Sequence, residues 1–487
     1  MLSLKTLFKT SIIYGIGSTV TRAMTFLLLP FYTNELENYG EFILVMTTIG
    51  FLRICYSHGM GDGFLKLYST SDEKKKITAT YLTYIMMVIL IVSSLFVVIN
   101  WLSGIQNSDT LIGLLQNKLL FIVLIVFFDT LNYRIVDILR IQNRPAYYMS
   151  SQIVSVIMTF SLTIYFINEF NYGYVPYIKD EVEAALMAVL CGGVAMFMLF
   201  SPILIKNLNL KEFSTIHLQK MLSFGMRFFP ATLFFMFMEL LDRYLLKLLL
   251  IAPNTNDLIG TYSVGCKLAS VPMLLIGAFN LGWQPFYLNN GNNDDAIKQY
   301  QKVGNIFIIS MLSISWVVAI IMPFIAQLNT PFLDNYPIIG PTFSSGIKII
   351  PIILTSHVFY AMYIINMPAI YLCNKQNWSP VLRIFGAAIN FILNLILIPY
   401  YGIYGAAIAT AISYCLMFLF LFYKNQNWMP IKLAWSDIIL LGSLIVSSII
   451  TILFNMNLQF YVMVLTSIYM IFLLYKHGMK NLILLFK

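Results

Sequence analysis

Long apolar segments recur along the whole chain, and they constrain its fold more than any other feature of the sequence. About fourteen stretches of roughly 20 apolar residues alternate with short polar breaks, and an α-helix of 20 residues crosses the hydrocarbon core of a bilayer. Of the 487 residues, 59% are hydrophobic and only 10% are charged. A soluble protein uses about a quarter of its residues for charge. The sequence therefore predicts an all-α integral membrane protein.

The predicted spans lie near residues 8–32, 40–60, 78–102, 117–135, 146–168, 182–204, 225–251, 259–288, 303–328, 344–372, 380–399, 405–423, 437–455 and 460–475. Most Lys and Arg residues between spans fall in every second connection, and cytoplasmic loops carry such an excess. This bias predicts that both termini are cytoplasmic. The first apolar run is too long for a signal-peptide core, so we interpret it as an uncleaved helix.

The connections between spans are short, none longer than about twenty residues, which leaves no room for a soluble catalytic or nucleotide-binding domain. A membrane enzyme such as a glycan polymerase would be expected to carry a large, charged outer loop. The longest outer loops, residues 103–116 and 329–343, are short and nearly uncharged. Basic residues are spread over many loops, so the positive net charge predicts no nucleic-acid binding.

Short motifs recur six spans apart. Leu36–Phe42 opens span 2 and is similar to Asn256–Tyr262, which opens span 8, and a second pair precedes spans 5 and 11. The recurrence predicts two six-helix halves, residues 1–204 and 205–423, followed by two further helices in residues 424–487. Both halves begin on the same side of the membrane, so we expect parallel repeats related by an axis normal to it.

Several small-residue motifs resemble one transporter family. They are Leu29-Pro30-Phe31-Tyr32-Thr33, Gly59-Met60-Gly61-Asp62-Gly63, and the run from Ile398 to Thr410. Over its whole length the chain resembles the multidrug/oligosaccharidyl-lipid/polysaccharide (MOP) exporter superfamily, and within it the flippases of O-antigen and capsule repeat units. The resemblance implies two MATE-like six-helix bundles, a bacterial cytoplasmic (inner) membrane location, no enzymatic activity and no cofactor. The implied partners are an undecaprenyl-diphosphate-linked oligosaccharide, membrane lipids, a glycan polymerase and other surface-polysaccharide assembly proteins.

The sequence departs from two other branches of that superfamily. Lipid II flippases carry an arginine-aspartate pair in the first helix, whereas Arg22 is followed by Ala23. Multidrug exporters carry cation-coupling carboxylates in the N-terminal half, where Asp129 is the candidate match. These departures favour a sugar repeat unit as cargo, with a cation-coupled exporter of small molecules on the same fold as the alternative.

Basic residues lie inside the predicted spans: Arg22, Arg53, Arg227, Arg243, Lys247, Lys267 and Lys348. A cation at the centre of a membrane helix costs about 2.5–3.5 kcal/mol on insertion scales, so we expect such a residue to face a cavity or a partner. Arg227 and Lys348 lie near span ends, where their side chains can reach the headgroups. The predicted substrate contacts are the others: Arg22, Arg53, Arg243, Lys267 and Lys247.

Arginine suits an anionic headgroup because its guanidinium donates two hydrogen bonds to phosphate oxygens at once. Glu239, Arg243 and Lys247 share one face of span 7, and a structural Glu239–Arg243 pair is an alternative to substrate binding. The acids within the spans, Asp129, Glu239 and Asp242, are the predicted sites for a coupling ion, Na⁺ or H⁺. Membrane potential is another candidate driving force. The cysteines and histidines lack metal-ligand spacing, so no metal site is predicted.

Overall fold

The computed structural model describes residues 26–103, 111–142, 144–171, 173, 178–227, 229–250, 252–330, 336–453 and 459–478. The regular secondary structure of these residues is helical. The α-helices are α1 Leu29–Glu35, α2 Tyr39–Ser57, α3 Met60–Thr70, α4 Lys74–Ser103, α5 Leu111–Asn117, α6 Leu119–Ile141, α7 Pro145–Asn171, α8 Glu181–Asn207, α9 Thr215–Gly225, α10 Phe229–Leu249, α11 Thr255–Leu268, α12 Val271–Asn290, α13 Asp294–Gln327, α14 Ile350–Ile365, α15 Pro368–Leu372, α16 Trp378–Trp428, α17 Trp435–Leu453 and α18 Gln459–His477. Short 3₁₀ helices cover Leu210–Glu212 and Pro341–Ile349.

The predicted all-α membrane architecture is confirmed. Among the described residues 9 helices are long and apolar enough to cross a membrane, or 11 if the bent pairs α9/α10 and α11/α12 each form one span. Helix α16 is 51 residues long and bends at Gly402, where φ is 55° and ψ is −130°. This backbone conformation suits glycine, and the bend separates predicted spans 11 and 12. Predicted span 1 lies mostly outside the described residues.

The chain forms two compact units. Unit 1 comprises Met1–Gly260 and Asn329–Phe343, and unit 2 comprises Thr261–Leu328 and Ser344–Lys487. In unit 1, α8 packs against α6 and α7, and in unit 2, α14 packs against α13 and α16. The division into halves at residues 204 and 205 stays a prediction.

Helix α2 packs against α10 in unit 1, and the two run antiparallel. The ring centres of Phe51 and Phe237 lie 4.9 Å apart, and the hydroxyls of Thr48 and Tyr244 lie 2.6 Å apart. The residue numbers of the contacts therefore decrease along α2 as they increase along α10. Two helices that carry predicted substrate contacts are thus neighbours in one unit.

Two glycines bring α3 and α9 into direct backbone contact. A Cβ atom on Gly59, the residue before α3, would lie 2.2 Å from the carbonyl oxygen of Gly225. A Cβ on Gly225, the last residue of α9, would lie 2.3 Å from the carbonyl oxygen of Gly59. Gly59 also has a positive φ of 78°. No other residue fits this contact without displacing the backbone.

The last two helices pack on α13 in unit 2. Their shared core contains Ile309, Trp316, Leu441, Ile445 and Leu473. The indole nitrogen of Trp316 donates a hydrogen bond of 3.1 Å to the hydroxyl oxygen of Ser448 on α17. Burial removes the water that accepts a hydrogen bond from the indole N–H in the unfolded chain. A buried tryptophan therefore needs an acceptor within the protein.

Candidate functional site

Arg53 on α2 lies beside two residues of α6. Its Nη1 atom is 4.0 Å from Oδ2 of Asp129, and the two side chains are 33% and 32% exposed. Its Cζ atom lies 4.5 Å from the centre of the Tyr133 ring, within range of a cation–π contact. A predicted substrate contact is thus paired with a predicted coupling-ion carboxylate. The pair is long, and the guanidinium remains accessible to a further anion.

Arg243 on α10 is held by groups of its own helix. Its Nη1 atom donates to the backbone carbonyl of Glu239 at 2.6 Å and to Oδ1 of Asp242 at 3.1 Å. The Asp242 side chain is only 3% exposed. The charge of Arg243 is therefore offset locally by Asp242, and its geometry is fixed before any ligand binds.

The other predicted contacts lie in different settings. Lys247 on α10 donates a 2.9 Å hydrogen bond to Oδ1 of Asn256. Lys267, in the last turn of α11, has no carboxylate within 4.0 Å of its Nζ atom in the parts of the chain described. Arg22 lies outside the described residues. Lys267 belongs to unit 2 and Arg53 to unit 1, so the convergence of these cations on one cavity stays a prediction.

Lys118 forms a buried cluster with three carboxylates, which sequence reasoning missed. Its side chain is 3% exposed, and its Nζ lies 3.2 Å from Glu183, 4.0 Å from Glu41, and within hydrogen-bond distance of Asp180. Glu41 lies in the first turn of α2, Lys118 precedes α6, and Asp180 caps α8. The cluster therefore joins the N-terminal ends of three helices.

The capping of α8 is the part of this cluster that the sequence signals. Asp180 Oδ1 accepts a hydrogen bond of 2.8 Å from the Glu183 amide, and Glu183 Oε2 accepts one of 3.0 Å from the Lys179 amide. An acidic cap with glutamate three residues later, just before an apolar run, is a capping-box pattern. The spacing points to the helix start, and it contains no indication of Lys118.

A second charged cluster joins α4 to the C-terminal part of α6. Asp137 Oδ2 accepts a 2.7 Å hydrogen bond from the Tyr81 hydroxyl and lies 3.2 Å from Nη1 of Arg134. Arg134 also donates to the Tyr81 oxygen at 3.0 Å. At a rise of about 1.5 Å per residue, Asp129 lies about 16 Å along α6 from Lys118 and about 12 Å from Asp137. The Arg53–Asp129 pair thus lies between two tightly paired clusters along α6.

No group of three or more His, Cys, Asp or Glu side chains is arranged to hold a metal ion within the described ranges. The charged groups are arranged as ion pairs and hydrogen bonds. They include cations that an anionic group could contact and carboxylates that could take up a cation or proton.

Comparison with known proteins gives a consistent family and fold. The family model described as polysaccharide biosynthesis protein matches residues 7–285. An uncharacterized membrane protein of Methanocaldococcus jannaschii is 25% identical over 328 residues, which are 64% of this chain. The match spans 60% of that relative, less than two thirds of its length.

Solved structures of transporters share the fold. The lipid II flippase MurJ in an inward closed conformation has a TM-score of 0.63 and 14% identity, covering 96% of this chain and 98% of MurJ. A MATE protein in the straight conformation has a TM-score of 0.58 and 16% identity, and the match covers 87% of this chain and 95% of the MATE protein. The Vibrio cholerae MATE transporter VcmN has a TM-score of 0.56 and 13% identity, and the match covers 87% of this chain and 96% of VcmN. At these identities the likeness shows the fold alone.

Proposed function

The chain belongs to the polysaccharide biosynthesis protein family of the MOP exporter superfamily, and from that premise we propose that it is a flippase for a lipid-linked sugar. The proposed cargo is an undecaprenyl-diphosphate-linked oligosaccharide repeat unit, such as that of O-antigen or capsule. It moves from the inner to the outer face of the cytoplasmic membrane. The fold shared with a lipid II flippase supports a cargo of this class.

The observation that carries the proposal is the position and pairing of Arg53. It lies within an apolar span, is one third exposed, and has a carboxylate partner only at 4.0 Å. A guanidinium in this state binds phosphate oxygens without first breaking a short ion pair. A lipid diphosphate carries about two negative charges at neutral pH. We therefore assign Arg53 as a contact for the diphosphate.

The other cations complete the proposed path. Arg22, Arg243, Lys247 and Lys267 would face the same cavity, while the lipid tail remains in the bilayer and the two halves expose the cavity to each side in turn. With the cell interior negative, each negative charge that moves outward gains about 2.3 kcal/mol per 100 mV. This force acts in the direction of export, so the mechanism requires no ATP site.

Asp129 is our candidate for ion coupling because its partner is Arg53. When a phosphate group takes up the guanidinium, the carboxylate loses its nearest positive charge inside the membrane. Binding of Na⁺ or H⁺ to Asp129 then becomes more favourable, since an unpaired charge within a membrane span is costly. Cargo and ion would thus promote each other's binding. A cation-coupled small-molecule exporter, which the MATE fold also fits, would use Asp129 without needing an anionic cargo.

The test is complementation in a cell that depends on this protein for its surface glycan. Arg53→Ala and Arg22→Ala should abolish glycan export at normal protein levels in the membrane, because each removes a phosphate contact. Arg227→Lys is the control, since it keeps the charge of a residue near a span end and should be mild. Full complementation by both alanine variants would show that the cationic-cavity mechanism is wrong.

A transport assay separates the two candidate cargoes. Protein in liposomes should move a fluorescent lipid-diphosphate sugar, and Arg53→Ala should stop that movement. Efflux of cationic dyes that depends on Asp129 but not on Arg53, with no movement of the lipid, would support the small-molecule exporter instead.

A further inference from the structure

A cavity of about 560 Å³ lies in unit 1 between the C-terminal ends of α6 and α8 and the start of α7. Its polar lining comprises two basic side chains, Arg144 and Lys206, together with Gln142, Tyr147 and Asn207. Binding sites for small ligands have volumes of about 300–1,000 Å³. The cavity is thus large enough for a phosphate group with its substituents.

The charge of this cavity is uncompensated. No acidic residue lines it. Neither Arg144 nor Lys206 forms an ion pair with a carboxylate within the part of the chain that the structure describes. Two cations beside two side-chain amides supply hydrogen-bond donors for an anion. The lining is that of an anion site.

The two cations lie at helix ends that border the cavity. Lys206 lies in the last turn of α8, where the partial negative charge of the helix end attracts a cation. Arg144 directly precedes Pro145, the first residue of α7, where the partial positive charge repels one. An anion in the cavity would interact favourably with both Arg144 and the N-terminal end of α7. Arg144 and the N-terminal end of α7 thus both favour an anion in the cavity.

The cavity wall is shaped by a proline in α8. Pro202 has no amide hydrogen to donate to the carbonyl of Met198, and its ring disturbs the preceding turn. The Ser201 hydroxyl donates to the Met198 carbonyl at 2.8 Å, and the Tyr147 hydroxyl donates to the Leu199 carbonyl. Both carbonyls are thus satisfied by side chains, which stabilises the distorted turn beside Lys206.

The surroundings of the cavity are apolar and lipid-facing. On the same part of α8, Met198 is 67% exposed and Ile205 is 74% exposed, as expected for side chains that contact acyl chains. Basic pockets between membrane helices bind the headgroups of anionic lipids. We propose that this cavity binds the phosphate of an anionic phospholipid between Arg144 and Lys206, with the acyl chains along the exposed face of α8. The site is separate from Arg53 and does not depend on the proposed cargo.

The experiment measures stabilisation of the purified full chain in detergent by added lipid. Phosphatidylglycerol should raise the melting temperature of the wild type, and zwitterionic phosphatidylcholine should raise it less. The double variant Arg144→Gln/Lys206→Gln should bind phosphatidylglycerol at least about tenfold more weakly, because it loses two charge-assisted contacts. Each single variant should show an intermediate loss, which keeps the test valid if the double variant does not fold.

The control variant is Lys211→Gln/Lys220→Gln. It removes the same charge from two exposed residues that do not line the cavity, so it should respond to phosphatidylglycerol as the wild type does. Equal responses of the cavity variants and the control would overturn the proposal, because the lipid would then act through general charge. Equal stabilisation by inorganic phosphate, with no further gain from the lipid, would overturn the assignment to a lipid.

Discussion

Replacing Lys118 by methionine should destabilise the protein more than any surface charge change. The substitution keeps the volume of the side chain and removes the positive charge from between Glu41, Asp180 and Glu183, which lie at the N-terminal ends of α2 and α8. At an effective dielectric constant of about 20, a charge pair at 3–4 Å contributes about 4–5 kcal/mol. Without the lysine, the carboxylates repel each other in a site that water reaches poorly.

The expected loss is at the lower end of the range for breaking a buried ion pair, about 3 kcal/mol. Lys118 is 3% exposed and Glu183 is 7% exposed, so their attraction is little screened. The Asp180 side chain is 37% exposed, and water therefore weakens its attraction to Lys118. Protonation of one carboxylate relieves the repulsion, so the defect should shrink at acidic pH.

The assay is a double-mutant cycle on the free energy of unfolding in mixed micelles, with Lys118→Met, Glu183→Gln and the double variant. The glutamine in Glu183→Gln keeps an oxygen that accepts the hydrogen bond from the Lys179 amide. This variant therefore measures the effect of removing the negative charge while the helix cap is preserved. Coupling should be about 1–3 kcal/mol, with the double variant more stable than the sum of the single effects predicts. Additivity within about 0.5 kcal/mol would refute the reasoning. Lys179→Met, an exposed neighbour, is the control and should change little.

Three further variants test other parts of the molecule. Gly225→Ala should lower the melting temperature because its Cβ would lie 2.3 Å from a backbone oxygen. Gly282→Ala is the control and should not lower it, because a Cβ at Gly282 would have no neighbour within 4 Å. Equal melting temperatures of the two variants would contradict the contact between Gly59 and Gly225. Trp316→Phe removes the donor to Ser448 and should cost about 1–3 kcal/mol of unfolding free energy, and a smaller loss would mean that water replaces the bond. Asp129→Asn should abolish any dependence of transport on Na⁺ or pH while leaving its dependence on membrane potential, and an unchanged ion dependence would exclude this residue as the coupling site.

Helix positions could be predicted from the sequence because membrane helices need about 20 consecutive apolar residues whatever their neighbours are. Pro399 and Gly402 lie where predicted span 11 gives way to span 12, and the structure places a bend at Gly402. These signals are local. A proline or glycine changes the backbone where it stands.

The pairing of charges could not be predicted in the same way. The periodicity of α2 places Arg53 on a polar face, but Asp129 is on a different helix, and only packing decides that the two meet. The pairing of Lys118 is even harder to predict, because its three carboxylate partners come from two other helices. No residue within a helical turn of Lys118 is acidic, so the sequence around it does not indicate a partner.

The contact between Gly59 and Gly225 limits how unit 1 can move. Most helix pairs slide by small amounts because the side chains between them change rotamer. Here two backbones touch, and no side chain lies between them to absorb a displacement. We therefore expect helices α3 and α9 to move together when the conformation changes. A cross-link between them should leave transport intact, and loss of transport on cross-linking would show that the two helices separate.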